Sequence, residues 1–452
     1  MEVDYIHLSL LFLLLFNGWT TFNVNALRLA TPRMSEREKN RFPGVGKRVF
    51  VTGATGMVGS AIVRNLLDQD PDCYVGCLVR SRNRREATGR LRNAMARQGL
   101  DYDEARIEAI PGDVTQDNLG IRMEQRQHGC TVDCSRKKHW DAVVHCAATI
   151  KLLEKTEVNS VDVMRHVVDF TASASLDNKP ATLHYMSSVA ACIGDPNLIS
   201  IAENQNLSPS AAFPSLYGRD KYNAEVYLRK EAQLRNMDTY IYRAPFILPR
   251  SKSLQRHTVP DILLKLGILT RSFPRFKSYL PLCNLQSVSK SIAACVLGHK
   301  TSEKSMSHIQ TLHLVDPGTS RWDRQLGLFK PALRPICGPV EEVTPSEFQY
   351  RMKSIQKMHH YAGVLRKLSP IIDLFARYDF PQLETRHTTT LLSKYGFDKT
   401  KYNLSLEDVK AAAWLAHKAL KEEIGSNYSM NFNFDSTSNV TNAVELPAMV
   451  VT

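Results

Sequence analysis

Short apolar runs and longer periodic stretches alternate along the first half of the chain. Arg48-Val49-Phe50-Val51-Thr52 is a run rich in β-branched residues, long enough for one buried strand. It leads into Gly53-Ala54-Thr55-Gly56-Met57-Val58-Gly59, after which Val58, Ile62 and Leu66 recur at helical spacing, as do Ala61 and Asn65. This pattern predicts strand, glycine turn, helix. Residues 73–79 predict a second strand, 84–98 a polar, arginine-rich helix, and 106–110 a third strand closed by Pro111-Gly112-Asp113-Val114. Residues 117–138 read as a polar loop. Further strands are predicted at 141–145, 182–186 and 239–243, with a helix around 217–225. Strands alternating with helices predict an α/β fold, a doubly wound parallel sheet covered by helices on both faces.

Beyond residue 245 the alternation weakens. Helices are predicted at 259–269, 346–357 and 404–424, and a strand at 311–315; Val409, Ala412, Ala413, Leu415 and Leu420 support the last helix. No internal repeat is evident. The pattern divides the chain into a targeting or signal-like segment at 1–33 and a linker at 34–46. A dinucleotide-binding domain at 47–245 follows, then a smaller, mostly helical substrate-binding region at 246–424. Residues 425–452, rich in Asn and Ser, are expected to be disordered.

The first segment carries LSLLFLLLF at 8–16, too short to span a bilayer but of the length of a signal-peptide core. Val24-Asn25-Ala26 offers small residues for cleavage, whereas Glu2 and Asp4 stand where a signal peptide has basic residues. A secretory, endoplasmic-reticulum or organelle address is expected, cleaved or anchoring, with membrane association through residues 6–22; a cytoplasmic address stays open.

Composition narrows the classes. With 43% hydrophobic and 23% charged residues among 452, the chain is globular with ample core. Its net charge of +13 is densest at Arg80, Arg82, Arg84, Arg85, Arg90 and Arg92, with no interleaved aromatic platform or helix-turn-helix signature. Nucleic acid is therefore not expected as a partner, and anionic small molecules fit the basic patches better. Nine cysteines show neither C-x-x-C nor metal-ligand spacing, and no metal is expected. Cys73, Cys77, Cys146, Cys192 and Cys295 sit in apolar surroundings and read as small buried hydrophobes, so a reduced compartment is expected; a Cys130–Cys134 pairing stays open. Sequons at Asn206, Asn403, Asn427 and Asn439 are of a number chance supplies.

The glycine turn carries the first chemical signal. Gly53 permits the tight turn, Gly56 lets backbone N–H groups approach a pyrophosphate, and Gly59 lets the helix pack closely on the strand. Where an acidic residue after the second strand would bind the 2′-hydroxyl of NAD, the chain has Arg80, which favours a 2′-phosphate and hence NADP(H). The plain alternative is a surface arginine. Asp113 is placed to accept from an adenine amino group, or is an ordinary Asp turn. Ala147 and Ala148, after His145-Cys146, leave room for a cofactor at a strand end.

The second signal is Tyr217 and Lys221, four apart and so on one helix face. A lysine ammonium beside a phenol favours the phenolate, which brings the tyrosine toward the working range of a general acid–base. Ser188, at the end of the preceding strand, can reach the same substrate oxygen. Tyr-x-x-x-Lys alone is common by chance; its order after a glycine fingerprint and a Ser-ended strand makes it a catalytic candidate.

These motifs in this order resemble the extended short-chain dehydrogenases/reductases of Rossmann type. Within them the chain is most similar to the thioester reductase group, which includes terminal reductase domains and the fatty acyl-CoA reductases of the male-sterility NAD-binding type. The matching residues are TGATGMVG (52–59), CLVR (77–80), GDV (112–114), HCAA (145–148), HYMSS (184–188), YGRDKYNAE (217–225) and IYRAPFI (241–247), with HLVDP (313–317) weaker. The resemblance implies that Gly53, Thr55, Gly56, Met57, Val58 and Gly59 hold the pyrophosphate. It implies that Arg80 and Arg90 face the 2′-phosphate, and that Asp113, Val114, Ala147 and Ala148 line the cofactor. Tyr217 would donate the proton, Lys221 would bind the nicotinamide ribose and tune Tyr217, and Ser188 would hold the carbonyl oxygen. The implied reaction is NADPH-dependent reduction of an acyl thioester, on coenzyme A or on a separate acyl carrier protein, to an aldehyde and onward to an alcohol. Arg243-Ala244-Pro245 stands where the family often has Arg-Pro-Gly, and Asp220 where Ser or Thr is commoner. Two alternatives stay open: a reductase, dehydrogenase or epimerase of a free carbonyl, steroid or nucleotide sugar that uses the same Ser188, Tyr217 and Lys221, and a non-catalytic NADP-binding regulator, a class that usually loses the Tyr or Lys this chain keeps.

Overall fold

The computed structural model describes residues 46–97, 99–121, 139–148, 159–174, 179–195, 197–248, 258–275, 279–298, 308–316, 321–356 and 380–425. The segment expected at 1–33, most of the 34–46 linker, Cys130 and Cys134, and nearly all of the 425–452 tail lie outside the described residues.

Strand β1 (Arg48–Thr52) turns through the glycines into helix α1 (Met57–Gln69), followed by β2 (Tyr74–Val79), α2 (Arg84–Arg97) and β3 (Ile107–Pro111). The chain continues through β4 (Ala142–His145), α3 (Ser160–Ser173), β5 (Thr182–Ser188), the short β6 (Ser200–Ile201), α4 (Leu216–Leu234) and β7 (Thr239–Ala244). The region after 245 begins with β8 (Phe246–Leu248), α5 (Val259–Thr270), β9 (Ser272–Pro274), β10 (Leu282–Asn284), α6 (Leu285–Gly298) and β11 (Ile309–His313). It ends with α7 (Trp322–Cys337), β12 (Glu341–Val343), α8 (Pro345–Gln356), β13 (Gln382–Leu383), α9 (Arg386–Lys394) and α10 (Leu406–Ile424).

Seven strands form one sheet in the order β11-β7-β5-β4-β1-β2-β3, every neighbouring pair parallel. This is the doubly wound Rossmann-type sheet that the alternation predicted. Strand periodicity explains its two faces. Val49, Val51, Val144, Tyr240, Tyr242 and Leu312 point into a core with α1, α2, α6 and α9, whereas Phe50, Val143, Leu183, Tyr185 and Ile241 point into one with α3 and α4. β11 starts at Ile309, two residues earlier than predicted, where its pairing with β7 begins opposite Thr239, the first residue of that strand.

The later elements join this frame through β11 at the sheet edge and through α6 and α9 on one sheet face, and they build a core of their own. Asn65 of α1 donates to Ser289 Oγ of α6 at 2.9 Å. Helices α5, α7 and α10 bury Leu264, Leu266, Phe329, Leu333, Val409 and Leu420 together. Lys265, fully buried on α5, is held by Asp261 at 3.0 Å and by Glu423 of α10 at 2.8 Å. No described helix is long and apolar enough to cross a membrane.

Candidate active site

The β1–α1 turn has the geometry its glycines require. Gly53 has φ +75°, and a Cβ there would lie 2.6 Å from the Ala147 nitrogen. A Cβ on Gly59 would lie 2.2 Å from the Gly53 carbonyl oxygen, so the helix packs directly on the turn. Gly56 is the N-cap of α1 and supplies no side-chain bond, which leaves the first-turn N–H groups to meet an anion.

The turn opens on a cavity of about 380 Å³ at the C-terminal ends of β1, β2, β4, β5 and β7. Every site residue anticipated from the sequence lines it. Gly53, Thr55, Gly56, Met57, Val58 and Gly59 lie at its middle; Arg80, Arg90, Asp113 and Val114 lie on the β2–β3 side. Ala147 and Ala148 follow β4, while Ser188, Tyr217 and Lys221 stand on the β5–β7 side. The sheet order therefore sets arginines and catalytic candidates at opposite ends, with the glycine turn between them.

At the arginine end, Arg80 and Arg90 are both exposed, and an Arg90 Nη1 donates to the Arg80 carbonyl, fixing the loop after β2. Asp113 Oδ1 accepts from Thr115 N at 3.0 Å and from Thr115 Oγ1 at 2.9 Å, so one carboxylate oxygen is engaged in an Asx turn.

At the other end, Ser215 caps α4, accepting from Gly218 N at 3.0 Å, and sets Tyr217 and Lys221 toward the cavity. Asp220 accepts from Ser160 N at 3.0 Å and from the Ser160 hydroxyl, tying α4 to the first turn of α3. Asp220 is thus occupied as a helix anchor. Strand pairing puts Ser188 opposite Ala244.

One expectation needs correction. The Tyr217 phenol is not drawn toward the phenolate. Burial raises its pKa, Asp220 adds to the rise, and a hydrogen bond with Ser188 opposes it without reversing it. Lys221 contributes little because its ammonium lies 6.0 Å from the Tyr217 ring centre and is turned to β5. There it donates to Tyr185 Oη and to the Met186 carbonyl, each at 3.2 Å. Burial brings Lys221 down to about 8, against the charges of Asp220 and Glu225. Burial pushes the Cys146 thiol up to about 12, which keeps it from acting as a nucleophile.

Several residues given no role by the sequence reading complete this end. Thr52 Oγ1 and His145 Nδ1 are 2.8 Å apart, and the His145 ring stacks on Tyr185 at 5.8 Å and 16°. Burial, with the Lys221 charge, brings His145 down to about 3, so its ring is neutral. Beneath Ser188, Ser187 Oγ donates to Glu225 Oε1 at 2.6 Å, and Arg243 Nη2 donates to Glu225 Oε2 at 2.8 Å. Burial would raise the Glu225 carboxyl, yet Arg243 holds it below the usual range. Arg243 Nη1 lies 3.2 Å from His313 Nε2, and His313 Nδ1 lies 2.8 Å from the Glu384 carbonyl oxygen. The residue spacing of the Lys-x-x-Ala-Glu stretch put Glu225 one turn after Lys221; its pairing with Arg243 of the neighbouring strand β7 was not visible in either segment alone.

The family described as "Male sterility protein", an NAD-binding family, has a sequence model that matches residues 51–279. The chain belongs to this family. It is 28% identical over 219 residues to the non-canonical nonribosomal peptide synthetase FrzA of a Cladobotryum species, covering 46% of this chain and 20% of that protein. It is 27% identical over 281 residues to aldehyde reductase lnaA of Aspergillus flavus, covering 60% of this chain and 26% of that protein. The chain thus spans only about a fifth to a quarter of the length of these relatives. Among solved structures, the terminal R domain from the myxalamid PKS-NRPS pathway superimposes with a TM-score of 0.64 at 20% identity, covering 84% of this chain and 91% of that one. That likeness is one of fold.

Proposed function

We propose that this protein is an NADPH-dependent reductase that converts an acyl thioester to an aldehyde. The observation that carries the reading is one cavity with a tight glycine turn at its centre and Ser188, Tyr217 and Lys221 at one end. Family membership and relatives named as peptide synthetases and an aldehyde reductase support it.

The residues fit a dinucleotide. The bare turn and uncapped α1 N-terminus suit a pyrophosphate, and no acidic residue follows β2 where NAD would want one. Arg80, with Arg90 bracing its carbonyl, suits a 2′-phosphate, so NADP(H) is proposed over NAD. When bound, NADPH supplies the hydride that turns thioester and proton into aldehyde, thiol and NADP⁺. The phenol of Tyr217, kept protonated by burial, donates to the carbonyl oxygen as negative charge grows there. Ser188 donates a second hydrogen bond to the same oxygen. Lys221, still largely ammonium at neutral pH, binds the ribose. The hemithioacetal then loses its thiol. The acyl group is presented on coenzyme A or on the phosphopantetheine of a carrier protein. The name of the lnaA relative favours a second round, aldehyde to alcohol, at the same residues.

The test is product trapping: the protein is incubated with NADPH and acyl-CoA or acyl-carrier thioesters, with a hydrazine to capture aldehyde. Aldehyde adduct from a thioester supports the reading, whereas reduction confined to free ketones transfers the chain to the general dehydrogenases. An organelle or secretory address is proposed on residues 8–16 alone; a fluorescent fusion lacking residues 1–33 that keeps the distribution of the full chain would remove it.

A further inference from the structure

We propose that Tyr185 is the positioning residue for Lys221, its hydroxyl holding the lysine ammonium at the ribose end of the cavity. This rests on the reading of the cavity as an NADPH site.

Tyr185 belongs to a row that three adjacent strands build. Pairing sets Thr52 beside His145 and His145 beside Tyr185, at one level across β1, β4 and β5. The row is joined by the Thr52–His145 hydrogen bond and the His145–Tyr185 stack, and it ends on Lys221. Tyr185 is 1% exposed, and Lys221 Nζ sits 4.9 Å from its ring centre as well as 3.2 Å from its hydroxyl. Packing and stacking at this point require a ring. Phenylalanine would satisfy both, so the hydroxyl is there for its polar neighbours, Lys221 and the Ser187 side chain. Burial keeps that hydroxyl protonated, so it meets the ammonium as a neutral acceptor.

The groups facing Lys221 define what a pH experiment reads. Asp220 and Glu225 act on it from its own helix, Cys146 and neutral His145 from the end of β4, Tyr185 from β5, and Tyr217 from one turn earlier. Burial shifts Cys146 up to about 12 and His145 down to about 3, and raises Tyr217, so of the groups facing it Lys221 alone is brought near neutral pH, to about 8. NADPH affinity should hold below that pH and fall as the ammonium is lost. Removing the Tyr185 hydroxyl withdraws an acceptor from the charged form and lowers the midpoint.

The experiment is the NADPH dissociation constant measured by fluorescence from pH 6.5 to 10, on the full chain and on Tyr185→Phe, Lys221→Met and the double variant. The wild type should lose affinity with a midpoint near 8, and Lys221→Met should abolish that limb. Tyr185→Phe should move the midpoint down by about one pH unit, the worth of one hydrogen bond to a charged group. In the Lys221→Met background it should change nothing further. A limb lost in Lys221→Met but unmoved in Tyr185→Phe overturns the role of Tyr185 alone. A limb that survives Lys221→Met overturns the cofactor role of Lys221, and the proposal with it.

Discussion

The two ends of the cavity are built on opposite physical plans. At the β1–α1 turn, the cavity wall is shaped by what is missing: side chains at Gly53 and Gly59, and a capping bond at Gly56. In the proposed reading backbone N–H groups do the binding there, and the flanking arginines are exposed. At the β5–α4 end, the wall is shaped by what is buried: Lys221, His145, Tyr185, Glu225 and Arg243 all lie inside. Burial shifts each of these groups unless a partner opposes it, so their chemistry depends on neighbours across several strands. The first plan resists changes of charge but not of shape. The second resists small changes of shape but not loss of a partner.

Four perturbations break or sharpen this contrast. The largest is Tyr217→Phe, which removes the proposed proton donor and keeps the ring; kcat should fall about 10³-fold while NADPH affinity stays within a factor of a few. Normal turnover would remove Tyr217 from the chemistry. Next, Glu225→Ala leaves Arg243 buried without its carboxylate, and should cost about 3–5 kcal/mol in urea unfolding. A loss under 1 kcal/mol would show the pair to be interchangeable with solvent.

The third is acid sensitivity. His145 and His313 are brought from 6.5 to about 3 by burial, so the unfolded chain binds protons that the folded one refuses. Stability should therefore fall as pH drops from 6.5 toward 3, by about 1.4 kcal/mol per pH unit for each histidine. His313→Gln should flatten that slope, read from unfolding midpoints across pH; an unchanged slope contradicts the assignment. The smallest is Arg80→Ala, at the exposed end, which should weaken NADPH by about tenfold and leave NADH unchanged. Equal loss for both cofactors would make Arg80 a surface residue.

The same contrast governs what was legible in the sequence. The turn is a contiguous motif whose physics is local, so the strand, glycines and helix could be read from residues 48–66. The sheet strands from β1 to β5, together with β7, are apolar runs of ordinary length and were equally plain. The region after 245 was legible only in part: α5, α8, α10 and β11 fall close to where the pattern placed them, and the rest was not read. Its strands β8, β9, β10 and β12 are three residues long, too short to show a period. Helix α6 is buried on nearly every side and reads as an unpatterned apolar stretch. Helix α7 contains Pro331 and Pro335, which argue against a helix in any sequence reading. Both lie on its exposed face, where the carbonyls they leave unpaired can meet water. In the site, Ser188, Tyr217 and Lys221 were visible because their order is conventional. Tyr185 and the Glu225–Arg243 pair were not, since their meaning arises only when separate strands are placed side by side. The same burial reversed the expected direction for Tyr217.

The most direct test of the proposed thioester reduction follows NADPH oxidation and free thiol together, with one acyl-CoA as substrate and the purified protein. Thiol should appear with each acyl group consumed, accompanied by one NADPH for an aldehyde product or two for an alcohol. NADPH loss with ketone substrates and no thiol from any thioester would contradict the account.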